Sequence, residues 1–289
     1  MTSAPRIRTF HEGERAVQRT AGADDRAARV AGILGDQLSP VAGLFLSTVS
    51  CVALGTADAD GRMWATVLTG EAGFVQTGPK AVRICAARPE GDPCVPAGPL
   101  DQVALIAMDF VRRRRFRVNG RVRRWDPSVI EMDVDEAYGN CPRHIRQRLV
   151  DPAPFSQGPK TTRLTRLTDW EHRFIARRDT LFIATRHPEA GADVSHRGGP
   201  AGFLRVTGPG RVELPDYSGN ALFNTLGNLW SHPGVGLVLP DFATGQTVQI
   251  SGRATIDHRP PPERWGPEVE RVVGIDVERV VRTTTDHLG

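Results

Sequence analysis

Three adjacent side chains, Ser195, His196 and Arg197, place a hydroxyl, an imidazole and a guanidinium directly before the Gly198-Gly199 pair. Further along, Tyr217, Ser218, Gly219 and Asn220 make a turn-like stretch, and Asn224 and Asn228 follow Asn220 at i+4 and i+8. That spacing predicts a helix over 220–231 with three amides along one face. The start of such a helix offers unpaired N–H groups and the positive end of a dipole. An isolated Ser-Gly-Asn is more often an ordinary N-cap with solvated asparagines. Beside Ser195, His196 and Arg197 it makes a pocket suited to an anion such as phosphate. A second set is Tyr138, Cys141 and His144. Cys141 reads first as a small buried residue capping the turn before Pro142, and second as a thiol facing a substrate. A working Cys–His pair would need hydrogen-bond reach in space, which spacing alone does not establish. No residue is assigned as a general acid or base, so the catalytic residues are unknown at this level. His11, His172, His187 and His232 and the four cysteines show no metal-ligand pattern, and no metal is expected.

The elements that must position these groups are repeated along the chain. Residues 51–75 lie over 180–204 at a constant offset of 129, matching Gly70 with Gly199 and Ala72-Gly73-Phe74 with Ala201-Gly202-Phe203. Residues 103–122 lie over 235–254 at an offset of 132, matching Asp109-Phe110 with Asp241-Phe242 and Gly120-Arg121 with Gly252-Arg253. Two such segments in the same order mark two copies of one unit. The Pro/Gly-rich stretch 151–162 reads as their linker. The expected division is 1–150, with N-terminal helices and the first copy, and 163–289, the second copy.

Within each copy the pattern is β. Segments 180–185, 234–239 and 247–256 are short, rich in Val, Ile, Thr and Phe, and bounded by turn residues. In 114–122, Phe116 and Val118 alternate with Arg115 and Arg117, as a half-buried strand requires. Helix signals are confined to 23–38, 170–178 and 220–231. Short strands at regular spacing indicate a mainly β fold of two barrels packed as a pseudo-dimer. The copies differ where the amides lie: the first has Pro89, Pro93, Pro96 and Pro99 there and cannot form the same helix.

The 289 residues carry 37 Lys+Arg against 33 Asp+Glu, and Lys80 and Lys160 are the only lysines. Eight arginines crowd 112–124. A basic strand of this kind is also the footprint of a nucleic-acid binder. However, only Phe116 and Trp125 are interleaved, too few for base stacking, and acidic residues follow directly at 131–136. The strand reads first as a solvated or interface strand with acidic partners, and next as a contact for an anionic ligand. Residues 1–10 have no apolar signal core, and the apolar run 41–55 falls short of the ~20 residues of a spanning helix. A cytoplasmic protein that binds neither membrane nor nucleic acid is expected.

The stretches 192–203, 215–229 and 241–254 together resemble the FMN-binding split β-barrel of the pyridoxamine 5′-phosphate oxidase-like superfamily, with two tandem copies covering most of the chain. The resemblance implies an FMN-dependent oxidoreductase acting on a small organic substrate. It implies FMN contacts at Ser195, His196, Arg197, Tyr217, Ser218, Asn220, Asn224, Thr247 and Gln249, and substrate contacts at Tyr138, Cys141 and His144. Members of that family build the flavin site at a dimer interface, so the first copy's arginine strand is expected to face the same flavin, and a homodimer is an expected assembly. The chain departs from true pyridoxamine phosphate oxidases. It has Asn224-Thr225-Leu226 where they carry an Arg/Lys pair, and lacks their C-terminal Trp/Arg segment. Oxidation of vitamin B6 phosphates is therefore not expected. The same resemblance leaves open haem or a deazaflavin in place of FMN, or flavin binding without turnover.

Overall fold

The computed structural model describes residues 10–156 and 159–285. The first unit opens with helices α1 (Glu12–Thr20), α2 (Asp24–Val30) and α3 (Pro40–Thr48). Its strands are β1 (Cys51–Ala57), β2 (Met63–Thr69), β3 (Val75–Gly78), β4 (Ala81–Cys85), β5 (Gln102–Asp109), β6 (Arg114–Trp125) and β7 (Val129–Asn140). The second begins with β8 (Lys160–Leu164), α4 (Asp169–Ile175), β9 (Thr180–His187), β10 (Gly191–Gly198), β11 (Arg205–Gly208) and β12 (Arg211–Tyr217). It ends with α5 (Asn224–Ser231), β13 (Gly234–Pro240), β14 (Thr247–Asp257), α6 (Pro262–Trp265) and β15 (Val269–Thr284). The antiparallel sheets share one topology, β2-β1-β5-β6-β7-β4-β3 and β10-β9-β13-β14-β15-β12-β11, with β8 added beside β15. The protein is mainly β, two tandem split β-barrels.

The repeat seen in the sequence is a repeat of register. Cys51 pairs with Thr69 in the first sheet, and Thr180 pairs with Gly198 in the second. Val103 pairs with Gly120, and Val235 with Gly252. Each sheet also has a bulge at one equivalent point, Asn119/Gly120 and Ser251/Gly252. A Cβ on Gly120 would lie 1.7 Å from the Asp133 carbonyl oxygen, and one on Gly252 would lie 2.1 Å from that of Asp276. The repeated glycine is thus required by backbone approach at the bulge. Gly252→Ala should lower unfolding stability by about 1–3 kcal/mol, the usual cost of forcing atoms into filled space. Chemical denaturation would check this, and an unchanged midpoint would refute it.

Each barrel encloses its own apolar cluster, around Leu181, Leu237 and Ile250 in the second copy and around Leu54, Leu105 and Met132 in the first. A third cluster, with Ile106, Met108, Phe182 and Val238, lies between the copies. Equivalent residues meet there, as a pseudo-twofold axis requires. A Cβ on Gly55 would lie 2.6 Å from Cβ of Ala184, its own counterpart. Phe110 and its counterpart Phe242 stack edge-on at 5.1 Å, and the Arg148 guanidinium covers both rings.

The helices differ most from expectation. The segment 23–38 is helical only as α2 and a following 3₁₀ turn at Ala31–Ile33. The one expected at 170–178 is Asp169–Ile175. The one expected at 220–231 starts only at Asn224, because Ala221 and Phe223 take left-handed φ of 66° and 59°. Three helices, α1, α3 and the four-residue α6, were not anticipated. In α3, Pro40 follows the Ser39 N-cap, but Val41 and Leu44 are exposed, so no amphipathic pattern shows. In α1, a reciprocal capping box of His11 and Glu14 starts a helix whose composition is polar. Two residues of the arginine strand have the acidic partners that 131–136 suggested: Arg121 lies 3.2 Å from Asp135 and Arg123 lies 3.5 Å from Asp133, both pairs exposed. Among the described residues no helix is long and apolar enough to cross a membrane.

Candidate functional site

One cleft gathers most of the residues singled out by sequence. It lies between the copies, walled by the start of β6, the segment after β7, the end of β10, the loop after β12 and the start of α5. Ser195, His196, Arg197, Tyr217, Ser218, Asn220 and Asn224 all line it, as do Cys141 and His144. Its non-atom space, including the solvent-open mouth, is about 860 Å³. Tyr138 stands behind the wall, 1% exposed.

The centre of the cleft is Arg117, a residue the sequence offered only as one of a cluster. The residue is 4% exposed. Nη1 lies 2.5 Å from Oδ1 of Asp193 and donates to the Tyr138 hydroxyl at 2.7 Å and to Oδ1 of Asn224 at 3.1 Å. Nη2 donates to Oγ of Ser195 at 2.6 Å. Burial opposes the charge, but Asp193 and Tyr138 outweigh it and the pKa of Arg117 is raised. The Ser195 hydroxyl donates to Oδ2 of Asp193 at 3.2 Å and accepts from Thr225 at 3.0 Å. Asp193, Ser195 and Arg197 alternate with Val194 and His196 along β10, so a two-residue period carries the polar set to one wall.

Arg115 is placed differently. It donates to Nδ1 and the carbonyl oxygen of His196 at 3.1 and 3.3 Å, and among the described residues no carboxylate lies within ion-pair distance. Burial, then Arg117 and Arg197, lower its pKa to about 10. His196 is 3% exposed, and burial followed by Arg115 and Arg197 holds its pKa well below 6.5. The ring is therefore neutral, and accepting from Arg115 at Nδ1 puts its proton on Nε2. Because the unfolded chain binds a proton there that the folded chain does not, stability falls as pH drops through 6.5. His196→Asn should flatten the pH dependence of thermal stability between about pH 7 and 5. An unaltered profile would contradict the buried neutral ring.

The outer wall is built by unusual backbone. Ala221, Phe223 and His144, all lining the cleft, are left-handed, with φ of 66°, 59° and 63°. The His144 ring stacks on Tyr217 at 5.2 Å, and burial lowers its pKa. Asn220 turns inward on its own loop, its Oδ1 accepting from the Leu222 N–H at 3.2 Å. Arg197 lies 3.6 Å from Asp216, which Arg271 also contacts at 3.0 Å. Burial raises the pKa of Asp216, against the pull of those two arginines.

Thr247 and Gln249 do not line this cleft. They are the counterparts of Arg115 and Arg117, so the pseudo-twofold axis carries them to the other side of the molecule. There the counterpart of Arg117, Gln249, is 2% exposed and its amide is engaged within the protein. Gln249 Nε2 donates to the Ala65 carbonyl at 2.8 Å and to Oδ1 of Asp92 at 2.9 Å. Val281, paired with Gln249 as Tyr138 is with Arg117, packs with Trp64 and Cys94. The proline-rich loop of the first copy thus covers the Gln249 amide through Asp92, and the groove beside it, lined by Trp64, Asp92 and Val281, has neither α5 nor the arginine pair.

His11, Glu12 and His187 bring three ligand-type atoms within 4.8 Å of one another. Their hydrogen bonds do not suit a cation. Nδ1 of His187 accepts from the N–H groups of Glu189 and Ala190, and Nδ1 of His11 accepts from that of Glu14. Both rings thus carry the proton on Nε2, donated to Glu12 and Asn228 respectively, leaving no lone pair there.

No protein-family model matches the chain, and no curated protein matches it. Several solved structures match part of it. HupZ of Group A Streptococcus is 12% identical, with 39% of this chain and 92% of that one covered and a TM-score of 0.33. A pyridoxamine 5′-phosphate oxidase-like protein of Lactobacillus delbrueckii is 16% identical, with 40% and 98% covered and a TM-score of 0.33. An FAD-binding protein of Mesorhizobium loti is 9% identical, with 44% and 99% covered and a TM-score of 0.28. Each of these neighbours spans about one copy's worth of this chain.

Proposed function

We propose that the chain binds one FMN in the cleft between its copies and acts as a flavin-dependent oxidoreductase on a small organic substrate. One observation carries this reading. Nε of Arg115, Nε of Arg117, Oδ1 of Asn140 and Nε2 of His196 are buried without a hydrogen-bond partner among the described residues, and all four side chains line this cleft. Each such atom costs about 1–3 kcal/mol if left unsatisfied. Concentrated at one cleft with a cation lacking a carboxylate, they fit a ligand with both an anionic group and polar ring edges.

FMN has that chemistry. Its phosphate suits the Arg115 and Arg117 guanidiniums and the N–H groups of the loop before α5. Phe203, Pro215, Phe223 and Leu226 supply apolar surface for a ring. When bound, a flavin supplies reversible hydride and electron transfer. The chain's own part is to bind and orient. Asp193 and Tyr138 hold Arg117 in one position, so that it needs little reorganisation. His196, neutral with a proton on Nε2, is a hydrogen-bond donor rather than an iron ligand, which disfavours haem at that ring. Cys141 and His144, on the wall after β7, are the groups placed to meet a substrate at the mouth.

The counterpart around Gln249 and Trp64 has Thr247 and Gln249 in place of the two arginines and no helix equivalent to α5, which predicts one flavin per chain rather than two. Fluorescence quenching of added FMN tests the reading, with saturation at one equivalent expected. A preparation that leaves FMN fluorescence untouched at micromolar protein would sink it.

A further inference from the structure

Helix α1 precedes both barrels, yet it reaches the cleft of the second. It places His11, Glu14 and Gln18, at i, i+3 and i+7, along one buried stripe against α5 and its leading loop. His11 Nε2 meets Oδ1 of Asn228 at 3.0 Å, and Gln18 donates to the carbonyl of Leu222 at 3.3 Å. Between them, Glu14 is 1% exposed, and its Oε1 accepts from Nδ2 of Asn224 at 2.7 Å. That contact decides which way the Asn224 amide faces. With Nδ2 given to Glu14, Oδ1 is left for Arg117.

The approach of the helices is fixed by paired glycines. A Cβ on Gly13 would lie 2.1 Å from the Gly227 carbonyl oxygen, and one on Gly227 would lie 2.6 Å from the Glu14 nitrogen. The second oxygen of Glu14 is also engaged, accepting from the His11 N–H at 3.0 Å. A glutamine at 14 has only one oxygen and cannot serve both donors.

We infer that Glu14 is a positioning residue of the cleft, and that docking of α1 and binding of a phosphate-bearing ligand are coupled through Asn224 and Arg117. The inference rests on the flavin reading for its ligand and on the ligand-free contacts for its mechanism. Whatever fixes Arg117 favours the ligand, and by reciprocity the ligand holds α1 in place.

Glu14→Gln is the first test, compared with the wild type at a temperature where both have the same circular dichroism. The affinity for FMN should fall about tenfold, as one misdirected charge-assisted bond implies. Affinity for riboflavin, which lacks the phosphate, should stay within twofold. Equal losses for both ligands would make Glu14 merely structural, and no loss for either would also overturn the inference. If the wild type binds neither ligand, the flavin reading has failed, and a ligand-free measurement decides this one. Asn224→Ala should then speed tryptic cleavage after Arg15 and Arg19 in α1 severalfold. An unchanged cleavage rate would show that Asn224 does not hold the helix.

Discussion

Replacing Arg117 with methionine should cost about 3–5 kcal/mol of stability and remove measurable affinity for FMN. The two effects have separate causes. Loss of stability comes from Asp193, 3% exposed, whose carboxyl would be left buried without its cation. Breaking a buried pair by removing one partner is far more damaging than replacing both. The double variant Arg117→Met/Asp193→Asn should therefore recover most of the stability and none of the affinity. Urea denaturation and FMN titration on the three proteins would separate the two. Recovery of binding in the double variant would mean that Arg117 supports the fold and does not meet the ligand.

Arg115→Met should have the opposite sign in the ligand-free protein. This guanidinium is half-buried beside two other cations with no carboxylate partner among the described residues, and its pKa is lowered to about 10. A depression of that size means that the folded state disfavours the charge by on the order of 3 kcal/mol. Removing it should raise the melting temperature, while FMN affinity falls by about 1.5–3 kcal/mol through loss of a charge-assisted contact. A cation retained at a cost to the fold is the signature of a binding site. A variant that melts lower and binds equally well would instead make Arg115 a structural residue.

The barrels were legible because a tandem repeat encodes register. Two matched glycines, Gly120 and Gly252, occupy the same bulge, and the matched Asp-Phe pairs bring Phe110 and Phe242 together at the pseudo-axis. The strands expected at 114–122, 180–185, 234–239 and 247–256 lie within β6, β9, β13 and β14. The site was legible on its second-copy side, since Ser195–Arg197 and Tyr217–Asn224 are each continuous in sequence and stay together in space.

What sequence missed follows from that same symmetry. In a pseudo-dimer each cleft takes β10-type residues from one copy and β6-type residues from the other, so pairing Ser195 with Thr247 and Gln249 joins two walls of different clefts. Nor does periodicity reveal that Arg117 is buried, because the carboxylate that makes burial tolerable, Asp193, lies in the other copy. Glu14 was hidden for a related reason. The polar composition of α1 reads as a solvated segment, and only the contact with α5 shows that His11, Glu14 and Gln18 point inward.

The central claim is that the Arg115–Arg117 cleft, and not its counterpart around Gln249, holds the phosphate of one flavin. A crystal structure of the protein grown with FMN tests it most directly. The account predicts density for one flavin per chain, with its phosphate against Arg115, Arg117 and the loop before α5, and none beside Gln249 and Trp64. Flavin density elsewhere, or in both halves, would contradict it.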